Sequence, residues 1–295
     1  MLNKIKLWQK NIDCLVKNPF FFAENASIAC GGYSPAAFYP RTETALAELV
    51  QKLNGESLPF YTLGNMTNVL PPEGACKRLI VCTKSMKSAI KEKNTLYVSA
   101  GVTSGELLRA CKRYGLSGAE FTVGIPCTMG GLLYMNGGAG GVYVSEIVEN
   151  VRALYQGEVV ALSNAECQYA YKSSVFMRED LIILGATLKL TPSDTDGIAR
   201  RIARFSARRA GLPKGRSMGC VFKNPDGDVA GRLIEQAGLK GFRVGGAYIS
   251  QEHANFIIND GRATVSQIKQ LITIIKNAVN AQYKKQLQEE IVYLI

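Results

Sequence analysis

One stretch, residues 219–259, constrains this chain more than any other: GCVFKNPDGDVAGRLIEQAGLKGFRVGGAYISQEHANFIIN. Its β-type start, Cys220-Val221-Phe222, predicts a short strand that feeds Lys223-Asn224-Pro225. A helix follows, then two glycine turns, then a second apolar run ending at Asn259. A thiol at the mouth of a strand, with a cation and an amide three and four residues on, suits an anionic organic substrate. The same residues also fit a thiol packed in a core, since free cysteine is usually buried and inert. The rest of the chain bears on the choice.

At 295 residues there is chain enough for two or three packed units. No apolar run approaches the roughly 20 residues that span a bilayer. The opening MLNKIKLWQKNIDCLVKN does not read as a signal peptide, because Lys4, Lys6, Lys10 and Asp13 interrupt any apolar core. Leu2, Ile5, Trp8, Ile12 and Leu15 fit one face of an amphipathic helix instead. Eight cysteines without a CxxC pair imply reduced thiols and a cytoplasmic chain. His253 is the only histidine, which argues against His-rich metal sites and His-based triads. The net charge of +11 raises nucleic acid as a partner. Yet the densest basic run, RRIARFSARRAGLPKGR at 200–216, interleaves Ile202, Ala203 and Phe205 at helical spacing, and no nucleic-acid motif accompanies it. It reads as a solvated helix face, and the charge also favours phosphate-bearing ligands near a cleft.

In chain order, 38–40 reads as a strand, 44–53 as a helix stopped by Asn54-Gly55, and 60–63 as a second strand, giving a β-α-β unit. That strand runs into GNMTNVL, where backbone N–H groups, Thr67 and Asn68 can face a phosphate; an ordinary polar turn is the alternative. Strands at 78–83 and 96–100 precede a helix at 104–114 ended by Gly115. The stretch 118–141 is dense in glycine, which suits close backbone approach to a ligand or a set of tight turns. Its spacing is not GxGxxG, so no Rossmann fold is expected. A hairpin at 151–162 and an apolar strand at 181–190 follow, and Thr191-Pro192-Ser193-Asp194 marks the domain boundary. Thr264 with Gln267 opens a helix running to about Tyr283.

Four stretches, YTLGNMTNVL, GLSGAEFTVGIPCTMGGLLYMNGGAGG, YAYKSSVF and the 219–259 segment, together with the late LQEEI, resemble the UDP-N-acetylenolpyruvoylglucosamine reductase family, in its shorter type II form. The resemblance implies an α+β chain: a two-part FAD-binding region of the vanillyl-alcohol-oxidase/PCMH type (1–191, parting near residue 85), then an α+β substrate-binding domain (192–295). It implies reduction of the UDP-sugar enol ether to UDP-N-acetylmuramate for peptidoglycan, with FAD and NADPH as cofactors and no nucleic acid, membrane or metal involved. Oligomeric state stays open, with a monomer as the default. By resemblance Cys220 protonates the substrate, Glu290 and Lys172 are catalytic, and Tyr171, Lys223 and Asn224 contact substrate. The flavin falls to Gly64, Asn65, Met66, Thr67, Asn68, Gly124, Ile125, Pro126, Cys127, Thr128, Asn136 and Gly138.

Three positions depart from the family pattern. Lys172 replaces an arginine and loses its planar two-point grip on a carboxylate. Met66 and Cys127 replace glycines where backbone is expected to approach FAD. They imply weakened flavin binding, and they keep open an alternative: a paralogue that retains the fold without reducing this substrate.

Overall fold

The computed structural model describes Trp8 and residues 11–295, which form two compact units. The first unit includes Ala36–Asn65 and Arg78–Ala210; the second comprises Pro19–Pro35, Met66–Lys77 and Gly211–Ile295. Of the expected opening helix, Leu2 and Ile5 lie outside the described residues. Trp8 and Ile12 are buried, but Leu15 stands on the strand Cys14–Lys17.

Among the described residues the first unit holds two larger sheets and two short two-stranded ones. In one larger sheet, Phe60–Leu63 and Ala37–Pro40 both run parallel to Leu79–Cys82, the signature of a β-α-β connection, and Cys14–Lys17 closes the edge antiparallel. The connecting helix Glu43–Gly55 begins where Thr42 accepts the Ala45 amide, and it buries Leu46, Leu49, Val50 and Leu53. Burying four such side chains contributes about 1.5–3 kcal/mol each, which fixes the face the helix turns inward. The helix runs through Asn54 and ends at Gly55. The chain turns at Ser57, whose φ is +53°.

The other larger sheet has five antiparallel strands, ordered Glu158–Ser163, Val148–Tyr155, Ile182–Lys189, Thr95–Ser99, Ala89–Glu92. The hairpin at Gln156-Gly157 has positive φ at both residues, +50° and +89°, as a turn matched to strand twist requires. The helix Ser104–Tyr114 follows its sequence signals: a Thr103–Glu106 capping box and Gly115 in the left-handed region. It buries Leu107, Leu108 and Cys111 in a core with Phe121, Leu133 and Val151.

The units part later than Thr191-Pro192-Ser193-Asp194. Thr191–Pro192 pairs with Leu116–Ser117, and Asp194 caps the helix Thr195–Arg209 by accepting the Gly197 amide. Ile198 is fully buried and Arg201 reaches buried Glu120, so this helix packs into the first unit and the division falls after Ala210. The basic run 200–216 is likewise not one helix. It ends at Arg209, and Arg216 opens the next strand beyond Gly211 and Pro213.

The second unit is built on an antiparallel sheet ordered Arg216–Cys220, Phe256–Asn259, Ala247–Ile249, Arg243–Val244. The helix Val265–Tyr283 starts at the expected Thr264–Gln267 capping box and buries Val265, Ile268, Leu271, Ile272, Ile275 and Val279. Segment 19–35 joins this unit through Asn259, whose Nδ2 donates to the carbonyls of Ile28 and Ala29. Segment 66–77 joins it through Val69–Leu70, which pairs in parallel with Val292–Tyr293.

Candidate functional site

In the first unit the strand Phe60–Leu63 delivers Gly64 and Asn65 to the turn at 124–128. Asn65 Nδ2 donates to Pro126 O at 2.7 Å, and a Cβ on Gly64 would collide with Thr128 Oγ1. Bare backbone is therefore required at Gly64 by the close approach of the two turns. Gly124 has φ +70°, and its carbonyl accepts from Arg209 Nη2 at 3.2 Å. Thr128 Oγ1 is buried without a hydrogen-bond partner among the described residues. Leaving such a hydroxyl unpaired costs about 1–3 kcal/mol, so the cradle fits a group that brings acceptor oxygens, as a dinucleotide pyrophosphate does.

The two side chains expected to obstruct that cradle both turn into the protein. Cys127 Sγ lies 3.1 Å from Ser104 Oγ and packs against the core; burial pushes its thiol up to about 11. Its φ is not left-handed, so this backbone position does not demand glycine. Met66 does sit at φ +52°, where glycine is favoured, but its side chain is only 4 % exposed. Its carbonyl accepts from the Ser27 amide and hydroxyl within the second unit. Thr67 is half-buried beside it, and Ile125 packs against the core of the first unit.

Asn136 and Gly138 have local tasks. Asn136, buried at φ +42°, donates from Nδ2 to Ala170 O at 3.0 Å and accepts the Ser145 amide at Oδ1. Gly138 lies on the hairpin strand Gly138–Ala139, where a Cβ would collide with Val142 O. Tight turning therefore accounts for this glycine. The bond from Asn136 holds a narrow turn in which Ala170 and Ser173 exchange both backbone hydrogen bonds. Tyr171, 44 % exposed, and Lys172, at φ +51°, form its tip.

In the second unit, pairing between Arg216–Cys220 and Phe256–Asn259 slips between Ser217 and Cys220, with Gly219 at φ +75°. Such a bulge re-aims the side chain that follows, here Cys220, which is half-buried. Asn255, 3 % exposed, then clamps Phe222 by both backbone groups, Oδ1 accepting its N–H and Nδ2 donating to its carbonyl. The other edge is held by segment 287–294: Lys223 N donates to Gln288 O, and Glu290 N to Val221 O, each at 2.8 Å. The main chain of Glu290 is thus bonded one residue from Cys220. Glu289 is occupied by Lys276 Nζ at 2.8 Å and by the Tyr293 hydroxyl. Asn224 Oδ1 accepts the Ala230 amide at 3.1 Å and so caps the short helix Ala230–Gln236. His253 is structural: Nδ1 accepts the Asn255 amide, and burial lowers its pKa.

Asn255 lies in a stretch that sequence reasoning singled out, yet its part was missed. Its bonds reach 33 residues back along the chain, and no local pattern signals them.

The family models that match define the class, FAD-dependent oxidoreductases with a characteristic C-terminal domain. A family model described as an FAD binding domain matches residues 34–163, and the C-terminal-domain model of UDP-N-acetylenolpyruvoylglucosamine reductase matches 212–294. The chain is 37% identical over 264 residues to the UDP-N-acetylenolpyruvoylglucosamine reductase of Moorella thermoacetica, covering 88% of this chain and 87% of the relative. It is 33% identical over 273 residues to that of Caldanaerobacter subterraneus subsp. tengcongensis, covering 90% and 89%. The crystal structure of the Thermus caldophilus enzyme superposes with a TM-score of 0.82 at 31% identity, over 96% of this chain and 100% of that one. The chain belongs to the UDP-N-acetylenolpyruvoylglucosamine reductase family. Among the described residues no helix is long and apolar enough to cross a membrane.

Proposed function

We propose that this chain reduces UDP-N-acetylenolpyruvoylglucosamine to UDP-N-acetylmuramate in the cytoplasm, as a step of peptidoglycan precursor synthesis, with NADPH as the reductant. The observation that carries the reading is the second unit's edge, where a bulge aims Cys220 and the Glu290 main chain is bonded to its neighbour Val221. When bound, FAD would supply the two-electron chemistry that couples NADPH oxidation to reduction of the enol ether.

Gly64, Asn65, Gly124, Ile125, Pro126 and Thr128 hold the flavin pyrophosphate, with the Thr128 hydroxyl as the donor that lacks another partner. Charge develops on the substrate carboxylate and C2, and Lys172 stabilises it. Cys220 gives its thiol proton to C2 and regains one from solvent. Glu290 fixes the reacting end. Lys223 attracts the substrate phosphates, and Asn224, whose Oδ1 accepts the Ala230 amide, contacts them beside it. Tyr171 packs on the substrate as an exposed aromatic.

The test is NADPH oxidation by purified protein plus FAD. Consumption that depends on the enol ether and yields UDP-N-acetylmuramate is expected. The left-handed φ at Met66 favours a second reading, a non-reducing paralogue. Protein that takes up no FAD at any concentration would establish that paralogue and overturn the reductase.

A further inference from the structure

Segment 287–294 changes partner in the middle. Before Glu290 its backbone bonds to 221–223, through Lys223 N to Gln288 O and Glu290 N to Val221 O. After Glu290 it bonds to 68–70, through Val292 N to Asn68 O at 2.9 Å and Leu294 N to Leu70 O at 3.0 Å. Leu287, Ile291 and Leu294 are buried anchors along it. At the crossing, the Glu290 carbonyl accepts from the side chain of Asn68, Nδ2 to O at 3.1 Å. The residue before the crossing is held independently, because the Glu289 carboxylate is tied to Lys276 and Tyr293.

We propose that Asn68 is a positioning residue for Glu290: its amide fixes the peptide that follows Glu290, and with it the direction in which the carboxylate is presented. The proposal rests on the reading of Glu290 as catalytic. The family resemblance would make Asn68 a flavin contact; the geometry gives its amide nitrogen a task within the second unit. Without that N–H the Glu290 carbonyl loses this hydrogen bond, and the peptide on its far side is less restrained between the two ladders. A reacting group that strays by a fraction of an ångström loses rate steeply, by up to about 10² for 1 Å.

The test uses holoenzyme loaded with FAD and stopped-flow absorbance to separate flavin reduction by NADPH from flavin reoxidation by substrate. Asn68→Ala is expected to slow reoxidation by about tenfold or more. Asn68→Asp keeps the shape without the donor and should match it, which guards against a packing effect. Asn68→His, with an N–H at similar reach, should recover part of the rate. The decisive comparison is the double variant. Asn68→Ala with Glu290→Ala should be no slower than Glu290→Ala alone, since one residue acts through the other. Losses that multiply, or a loss confined to flavin affinity and flavin reduction, would overturn the proposal while leaving Glu290 in place. Parent-like reoxidation in Glu290→Ala would remove the reading of Glu290, and this proposal with it.

Discussion

Replacing Met66 with glycine sets backbone strain against burial. A non-glycine residue in the left-handed region costs about 1–2 kcal/mol, and Met66 sits there with φ +52°. Glycine would relieve that cost. It would also empty the space of a side chain that is 4 % exposed, and deleting a buried methionine to alanine costs about 2–5 kcal/mol. Glycine adds about 0.5–1 kcal/mol of chain entropy lost on folding. Relief of about 1.5 kcal/mol is thus outweighed by losses near 4 kcal/mol, and Met66→Gly apoprotein should be less stable by about 2–3 kcal/mol. Urea unfolding followed by far-ultraviolet circular dichroism measures it as a lower midpoint at unchanged slope. A variant as stable as the parent, or more so, would show that strain dominates at this turn. FAD titration of the same variant separates affinity from stability.

Four further outcomes are expected. Cys127→Gly should leave the FAD dissociation constant within about threefold of the parent, because the thiol faces Ser104; a gain of tenfold or more would mean that the sulfur stands in the ligand's way. Cys220→Ala should still allow NADPH to reduce the flavin but stall its reoxidation by substrate, and normal reoxidation would exclude Cys220 as the proton donor. Lys172→Ala should slow reoxidation by about 10² while Lys172→Arg keeps it; an alanine variant that turns over like the parent would leave Lys172 a surface charge. Burial raises the thiols of Cys30, Cys127 and Cys167 to about 11 and that of Cys111 to about 12, so in the unfolded chain they ionise earlier, near their ordinary value. The unfolded state then binds fewer protons, so this contribution is complete below about pH 8.5 and is lost as pH rises toward 11–12. Thermal melts of reduced protein should show Tm falling through that window, and a flat profile would refute the burial of these groups.

The elements that sequence predicted best are those with local causes. The capping boxes at Thr103 and Thr264, the glycine after Tyr114 and the Gln156-Gly157 turn act within a few residues; the helix Ser104–Tyr114 begins and ends, and the helix Val265–Tyr283 begins, where those signals stand. Membership of the two units was not legible. Segment 19–35 is held to the second unit by Asn259 bonding to carbonyls 231 and 230 residues away, and no periodicity in either stretch announces it. The polar run at 191–194 looked like a linker because caps and linkers share a composition; only the burial of Ile198 shows which it is.

The candidate site divides the same way. Glycine density marked the turn at 64 and 124–128, but density alone could not separate Gly64, kept bare by Thr128, from Gly138, kept bare by its own hairpin. Asparagine was harder still. Asn68, Asn136 and Asn255 each spend a side-chain amide on distant main chain, at Glu290, Ala170 and Phe222, and those three bonds hold the segments that carry Glu290, Lys172 and Cys220. The pair Glu289-Glu290 shows why backbone is needed to read such a site. Two identical neighbours cannot be told apart by composition. Their bonds separate them: Glu289 pairs across to Phe222 and sends its carboxylate to Lys276 and Tyr293, whereas the Glu290 main chain is bonded to Val221 and to the Asn68 side chain.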